Sequence, residues 1–224
     1  MEYNSIEHIS GCFNNLPREE IEFLSANKTQ VSYLKGETIF KQGAFAPHVL
    51  FVNKGLALIY LQIGKSKQIN IYIARQGDYI AFSSVFNVKT YQYSAVSLCD
   101  SVFCMIEKDA LTEVIMRNAD FAMQIAAKNN INESRYLDII KNLSYKQMRG
   151  KLASAILYLC SDEFQNEGIF RFLTRQNIAD FASITVESTV KFLKEFENDQ
   201  LISLKGKEII IKNRQGLKDL DLRG

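Results

Sequence analysis

Between Asp109 and Ser144 the chain carries neither glycine nor proline, so nothing there stops a helix, and any fold must accommodate a long one. The one break to expect lies near Asn118-Ala119-Asp120. In the second half, Ile125, Asn129, Asn132, Tyr136, Ile139 and Leu143 follow at steps of 4, 3, 4, 3 and 4. That is the 3.5-residue repeat of a coiled-coil seam. A helix lying on its own sheet would also carry an apolar stripe. The two central asparagines favour a partner helix, because polar residues in a seam cost stability and fix register. The expectation is a homodimer joined along this helix.

Upstream, the texture is different. Residues 17–28 read as a short helix with Pro17 in its first turn and Ile21 and Leu24 on one face. From about Val31 to Ile106 come short apolar runs such as Val49-Leu50-Phe51-Val52 and Ile69-Asn70-Ile71-Tyr72-Ile73. Gly36, Gly43, Gly55, Gly64 and Gly77-Asp78 punctuate them. Many short strands at that spacing predict an antiparallel sandwich or roll.

Composition removes several classes. With 11 Gly and 2 Pro in 224 residues, collagen and disordered chains are excluded. No apolar run approaches the ~18 residues of a membrane span. Met1-Glu2-Tyr3-Asn4-Ser5 is no secretory signal. Cys12, Cys99, Cys104 and Cys160 are scattered without a CxxC pair, as expected of reduced thiols in a cytoplasmic protein. Two histidines, His8 and His48, leave little for metal or histidine chemistry, and no Ser/His/Asp set or P-loop appears, so no enzyme is expected. Net charge is only +2, so a case for DNA must rest on where charges sit.

After Leu143-Ser144, the expected joint, a helix is predicted over Tyr145–Asp162 with Ser144 as N-cap and Gly150 in close packing. Thr174 then caps a short helix ending near Ala182, and Thr185 a longer one. The Ser183-Ile184 turn forces a sharp crossing, with Ala179 at the approach and Ile178, Ile184, Val190 and Leu193 as the shared core. This is the layout of a helix-turn-helix. The second helix presents Glu187, Ser188, Lys191 and Lys194. A carboxylate accepts from cytosine N4, and lysine donates to guanine or phosphate. An ordinary solvated face would carry similar charges; the cap-turn-cap pattern decides for DNA. Leu201–Ile211 reads as a hairpin turning at Gly206, a wing with Lys205 and Lys207 at its tip. Lys212 and Arg214 read as a solvated turn.

These stretches resemble the CRP/FNR family of bacterial transcription factors, the cyclic-AMP receptor protein and fumarate-nitrate regulator group. Leu173–Leu204 carries the strongest likeness, in Leu-Thr-Arg-Gln-Asn-Ile-Ala, Thr-Val-Glu-Ser and Asp199-Gln200-Leu201-Ile202-Ser203. Lys35–Gly43, Val52–Gly55 and Gln76–Ile80 match the family's glycine-marked β-roll. The resemblance implies an α+β fold: an N-terminal antiparallel β-roll of cyclic-nucleotide-binding type (1–108), a long dimerisation helix (109–144) and a C-terminal winged helix-turn-helix (145–224). It puts Thr174, Arg175, Gln176, Thr185 and Val186 among the DNA-binding residues, with Glu187 as base reader and Lys191 where arginine is usual. Lysine lacks the arginine fork, so guanine discrimination is softer. Ser183 stands where glycine is common.

The family's cyclic-nucleotide cassette uses a carboxylate for ribose and an Arg-Ser pair for phosphate. Here Phe82 stands in the carboxylate position and Tyr93 (Gln92 if the gap falls differently) in that of arginine. A buried anion without a paired cation costs several kcal/mol. Cyclic AMP and cyclic GMP are therefore not expected to bind. Phe82, Ser83, Ser84, Tyr91, Tyr93 and Ser94 form the candidate effector pocket, either lining it or filling it. A lone N-terminal Cys12 does not support an iron–sulfur cluster. Haem stays open, with His48 as candidate axial ligand against the plain reading of a solvated loop histidine. The expected protein is a dimeric regulator of a palindromic double-stranded operator, meeting RNA polymerase if it activates. The alternative is a sensor module that acts through protein contacts.

Overall fold

Short, largely buried apolar runs build two four-stranded sheets. Their strands are β1 (Lys28–Tyr33), β2 (Thr38–Phe40), β3 (His48–Lys54), β4 (Leu56–Ile63), β5 (Lys67–Arg75), β6 (Tyr79–Ile80), β7 (Ser94–Ser97) and β8 (Ser101–Glu107). One sheet has the order β1-β8-β3-β6 and the other β2-β7-β4-β5. Antiparallel register sets Leu50 against Met105 and Phe51 against Cys104. The computed structural model describes residues 16–64, 67–86, 88–164 and 167–223. Cys12, His8 and the segment Met1–Ser5 lie outside them. The chain divides into two compact units, one running to Lys67 and over Tyr72–Glu133, the other comprising Gln68–Ile71 and Ser134 onward.

Gly55, between β3 and β4, adopts φ +95°, and a Cβ there would collide with the Ser101 side chain. Glycine is thus required both by the turn and by the approach of β8.

Two helices cover the first sheet. α1 (Arg18–Ala26) follows Pro17, which is the N-cap and so stands one residue outside the helix. α2 is Lys108–Arg117. Leu24, Val49, Phe51, Ile106 and Leu111 close the core between them, each worth roughly 1.5–3 kcal/mol on burial. His48 opens a strand and does not sit in a loop.

Asn118 is extended (φ −122°, ψ 99°) and ends α2, and its Oδ1 accepts from Phe121 N at 3.0 Å. α3 (Ala119–Tyr145) starts there. Phe121 and Ile125 point into the first core, so Ile125 cannot serve in an external seam. The Asn129 and Asn132 side chains lie outside the described residues. Ile139 is half-buried. The large apolar side chains that α3 shows to solvent among the described residues are Met123, Tyr136 (39% exposed), Leu137 (54%), Ile140 (58%), Leu143 (40%) and Tyr145. Of the residues expected in the seam, Tyr136 and Leu143 are exposed, and Leu137 and Ile140 are exposed beside them. A spacing of 3.5 residues fits a core contact as well as a partner contact, and packing in the first unit decides for Ile125.

Ser144 lies inside α3 and caps nothing; α4 (Met148–Leu159) has Gln147 as N-cap and ends short of the expected Asp162. Gly150 is buried in it. Asn142 Nδ2 donates to Ser154 Oγ at 2.9 Å, and Arg135 lies 3.7 Å over the Tyr158 ring. Lys146 pairs with Asp221 of α7 (Arg214–Arg223), a C-terminal helix that packs on α4 through the buried Leu217. Arg214, expected in a solvated turn, has an exposed side chain, but its backbone begins this helix.

Candidate nucleic-acid interface

Two threonines build the helix pair. Thr174 N-caps α5 (Arg175–Ala182): its Oγ1 accepts from Asn177 N at 3.1 Å, and its own N–H donates to Asn177 Oδ1 at 2.8 Å. This reciprocal box satisfies two backbone donors that a helix start leaves open. Ser183 ends α5 in the left-handed region (φ +53°), a conformation that costs serine more than glycine. Ile184 N then donates back to Ala179 O at 3.1 Å. Thr185 N-caps α6 (Val186–Asn198), accepting from Ser188 N at 3.2 Å.

Ile178, Ala179, Leu193 and Phe196 fill the core between the helices. Ile184 is half-buried. Val190, expected in that core, is 38% exposed. Thr189 takes its place, fully buried, because its Oγ1 donates to Thr185 O at 2.9 Å and leaves only a methyl to pack. The buried stripe of α6 therefore runs through Thr189, Leu193 and Phe196, and Val190 lies beside it towards the outward face.

That face carries Glu187, Lys191 and Lys194, all exposed, with Val186 and Ser188 half-buried beside them. The Glu187 carboxyl is held below the usual range, first by its own backbone N–H and then by the Thr185 hydroxyl. It sits in the first turn of the helix, where the dipole favours a negative charge. Lys191 Nζ lies 4.0 Å from Glu195 Oε1.

The wing is the hairpin β9 (Ile202–Lys205) and β10 (Glu208–Ile211), turning at Gly206 with φ +61°. Lys205 and Lys207 are exposed at its tip. Arg175, half-buried, donates to Gly206 O at 3.1 Å and to Lys207 O at 3.5 Å, and burial draws its pKa down from the usual arginine value. Gln176 Nε2 donates to Asp180 Oδ1 at 2.7 Å. Burial in turn raises the Asp180 carboxyl, which the Gln176 bond opposes. Arg175 and Gln176 thus hold the wing and α5. Leu204 N donates to Glu197 Oε1 at 2.8 Å, which fastens the wing to α6.

One contributor escaped the sequence reading. Arg149, in the first turn of α4, donates to Glu195 Oε2 (2.7 Å) and Asp199 Oδ2 (3.0 Å) at the far end of α6. No spacing rule could have found it, because the partners are 46 and 50 residues apart.

In the first unit the candidate pocket residues separate into two groups. Phe82 packs edge-on to Tyr79 and Phe86 within the core that contains Phe51 and Leu111. Tyr91 stacks on Phe40, with ring centroids 4.1 Å apart, and Tyr93 tilts against the same ring at 5.8 Å. The Tyr93 hydroxyl accepts from Ala81 N at 2.7 Å, although Ala81 holds a left-handed φ of +62°. Ser84 Oγ donates to Ala81 O, and Ser94 Oγ accepts from Gln42 N; Ser83 is half-buried. Burial pushes the Tyr91 hydroxyl up to about 12 and raises that of Tyr93. Cys99, Cys104 and Cys160 are free thiols. Among the described residues no three His, Cys, Asp or Glu side chains converge to hold a metal, and no helix is long and apolar enough to cross a membrane.

Residues 30–118 match the model of the cyclic nucleotide-binding domain, and residues 150–220 that of the Crp-like helix-turn-helix domain. The fumarate and nitrate reduction regulatory protein of Yersinia pestis is 28% identical over 193 residues, covering 83% of this chain and 76% of its own length. The cAMP-activated global transcriptional regulator CRP of Escherichia coli is 23% identical over 185 residues, covering 80% and 87%. In fold, the structure of FixK2 from Bradyrhizobium japonicum matches with a TM-score of 0.73 at 20% identity, over 87% of this chain and 97% of that one. With a cyclic nucleotide-binding-type domain ahead of a Crp-like helix-turn-helix, the chain belongs to the CRP/FNR family of DNA-binding transcription regulators.

Proposed function

We propose that this regulator works as a homodimer that sets two copies of α6 in successive major grooves of a roughly palindromic duplex, about one helical turn apart. The observation that carries the reading is the outward face of the twice-capped helix pair, where Glu187, Lys191 and Lys194 stand exposed. In this reading Glu187 exchanges its Thr185 bond for a cytosine amino group, and Lys191 donates to a neighbouring guanine. Thr185 and Ser188 hold a phosphate at the helix start, and Lys205 and Lys207 follow the backbone from the wing. Thr174, Arg175, Gln176 and Val186 complete the surface, with Arg175 and Gln176 positioning it. The exposed Tyr136, Leu137, Ile140 and Leu143 supply an apolar face for a second copy. Residues 1–108 serve as sensor, 109–144 as dimer helix and 145–224 as DNA-binding domain, in the cytoplasm. As an activator it would also meet RNA polymerase.

The effector, in this reading, is not a cyclic nucleotide. Between Phe82 and Ser94 the sole cationic side chain is Lys89, and it is exposed, while the Tyr93 hydroxyl already occupies the Ala81 amide. A cyclic phosphate would enter without a paired charge.

Selection from a randomised duplex pool, followed by anisotropy titration and sedimentation, tests the proposal. The expected result is an enriched two-fold symmetric site, bound by a dimer in a salt-sensitive way and weakened by Glu187→Ala and Lys191→Ala. No enrichment, a monomer, or indifference to both substitutions overturns it. Micromolar cyclic-AMP affinity by calorimetry overturns the effector reading alone.

A further inference from the structure

Glu195 has two suitors. Its Oε2 accepts from Arg149 at 2.7 Å, and its Oε1 lies 4.0 Å from Lys191 Nζ. The second pair is i,i+4 along α6 with lysine N-terminal to glutamate, the weaker orientation for such pairs. The first draws on a planar fork whose other arm reaches Asp199 at 3.0 Å and whose centre lies 5.5 Å from the Phe196 ring. The guanidinium therefore holds Glu195 by directed hydrogen bonds, and the lysine stays at the limit of contact. Lys191 remains 71% exposed on the outward face.

We infer that Arg149 is a positioning residue for DNA recognition: by engaging Glu195 it keeps that carboxylate from capturing Lys191, and so leaves the lysine available to the duplex. The inference rests on the reading of α6 as the recognition helix. Without Arg149, the cation within reach of Glu195 among the described residues is Lys191. The pair would tighten on the helix surface and compete with DNA for the ammonium group.

The test uses the full-length protein and the duplex that the wild type enriches from a randomised pool. Arg149→Ala is expected to weaken binding about two- to fivefold, the scale of an exposed ion pair. The dependence of log affinity on log salt should become shallower by about one if Lys191 contacts phosphate. Adding Glu195→Gln to Arg149→Ala restores the affinity. Adding Asp199→Asn does not, although it removes the same charge from the same helix end. A purely structural clamp predicts the opposite: no rescue by Glu195→Gln, and a loss from Glu195→Gln alone. Rescue by both substitutions would mean a generic charge effect, and either result overturns the inference. If Arg149→Ala fails to fold, the single variants decide. Glu195→Gln should bind more tightly than Asp199→Asn, and equal or reversed affinities overturn the assignment. A wild-type protein that enriches no duplex defeats the recognition reading itself, whereas enrichment with an unaffected Arg149→Ala defeats only this inference.

Discussion

Along α6 the polar groups Glu187, Lys191 and Lys194 stand in solvent, whereas between Ala81 and Ser94 the Ser84, Tyr93 and Ser94 hydroxyls are bonded to the chain's own backbone. The Tyr93 hydroxyl binds the Ala81 amide, Ser84 binds the Ala81 carbonyl, and Ser94 takes the Gln42 amide. Both regions match family models named for binding, yet their chemistry points in opposite directions. An exposed, preorganised face gives up little on meeting a ligand. A set of buried groups already satisfied by the protein would have to break those bonds first. The contrast teaches that α6 is built to receive a partner and the segment from Ala81 to Ser94 to stabilise itself.

The largest expected effect tests the open side of this contrast. Glu187→Ala and Lys191→Ala should each lower specific affinity by about 1–3 kcal/mol if they read bases. Thermal stability should stay within about 0.5 kcal/mol of the wild type, since both side chains are exposed. Competition titrations with the enriched duplex and with single-base variants measure the first, and calorimetric unfolding the second. A stability loss without an affinity loss would make α6 a structural element like the segment from Ala81 to Ser94.

On the closed side, pH supplies the next lever. The Tyr91 hydroxyl is pushed up to about 12 by burial, from an unperturbed value of 10.0. The unfolded chain then releases this proton first, so stability is fully present below pH 10 and declines as pH climbs to 12. Two pKa units correspond to roughly 3 kcal/mol at most, and solvent screening at the half-buried hydroxyl reduces the loss below that. Tyr91→Phe should flatten alkaline unfolding followed by circular dichroism, and an unchanged alkaline limb would show Tyr91 to be accessible. Tyr93→Phe strands the Ala81 N–H at a backbone angle that alanine rarely adopts. A loss of about 1–2 kcal/mol in unfolding free energy is expected, with per-site DNA affinity unchanged. An affinity shift in place of the stability loss would mark Tyr93 as an effector-responsive group.

How much of this was legible in sequence followed locality. Thr174 and Thr185 cap their own helices, and only Ser183, Ile184 and Thr185 separate the two, so both helix starts could be read directly. The burial of Thr189 in place of Val190 could not, because threonine suits a core only once its hydroxyl finds a carbonyl one turn back. Ile125 misled for a related reason: one spacing serves a buried stripe and a dimer seam alike, and only the presence of Leu111 and Phe121 beside it distinguishes them. The roll was visible in its glycines, but not the separation of Phe82 from Tyr91 and Tyr93. α7 was missed because its stretch is strongly polar and its buried anchor is the single Leu217.

The smallest effect concerns a residue that joins fold to face. Thr185 caps α6 through Ser188 N and also helps hold the Glu187 carboxyl below its ordinary 4.5. Thr185→Ala should therefore cost about 1 kcal/mol of stability near neutral pH, and Thr185→Ser almost none. Because the Glu187 carboxyl is depressed in the folded chain, its stabilising part exists above the unfolded pKa and is lost as pH falls through the folded value. The deficit of the alanine variant should accordingly shrink on acidification, and the Glu187 titration followed by NMR should move up towards its ordinary value. A deficit independent of pH would confine Thr185 to backbone capping, and the carboxylate would then reach its cytosine without first giving up a bond to Thr185.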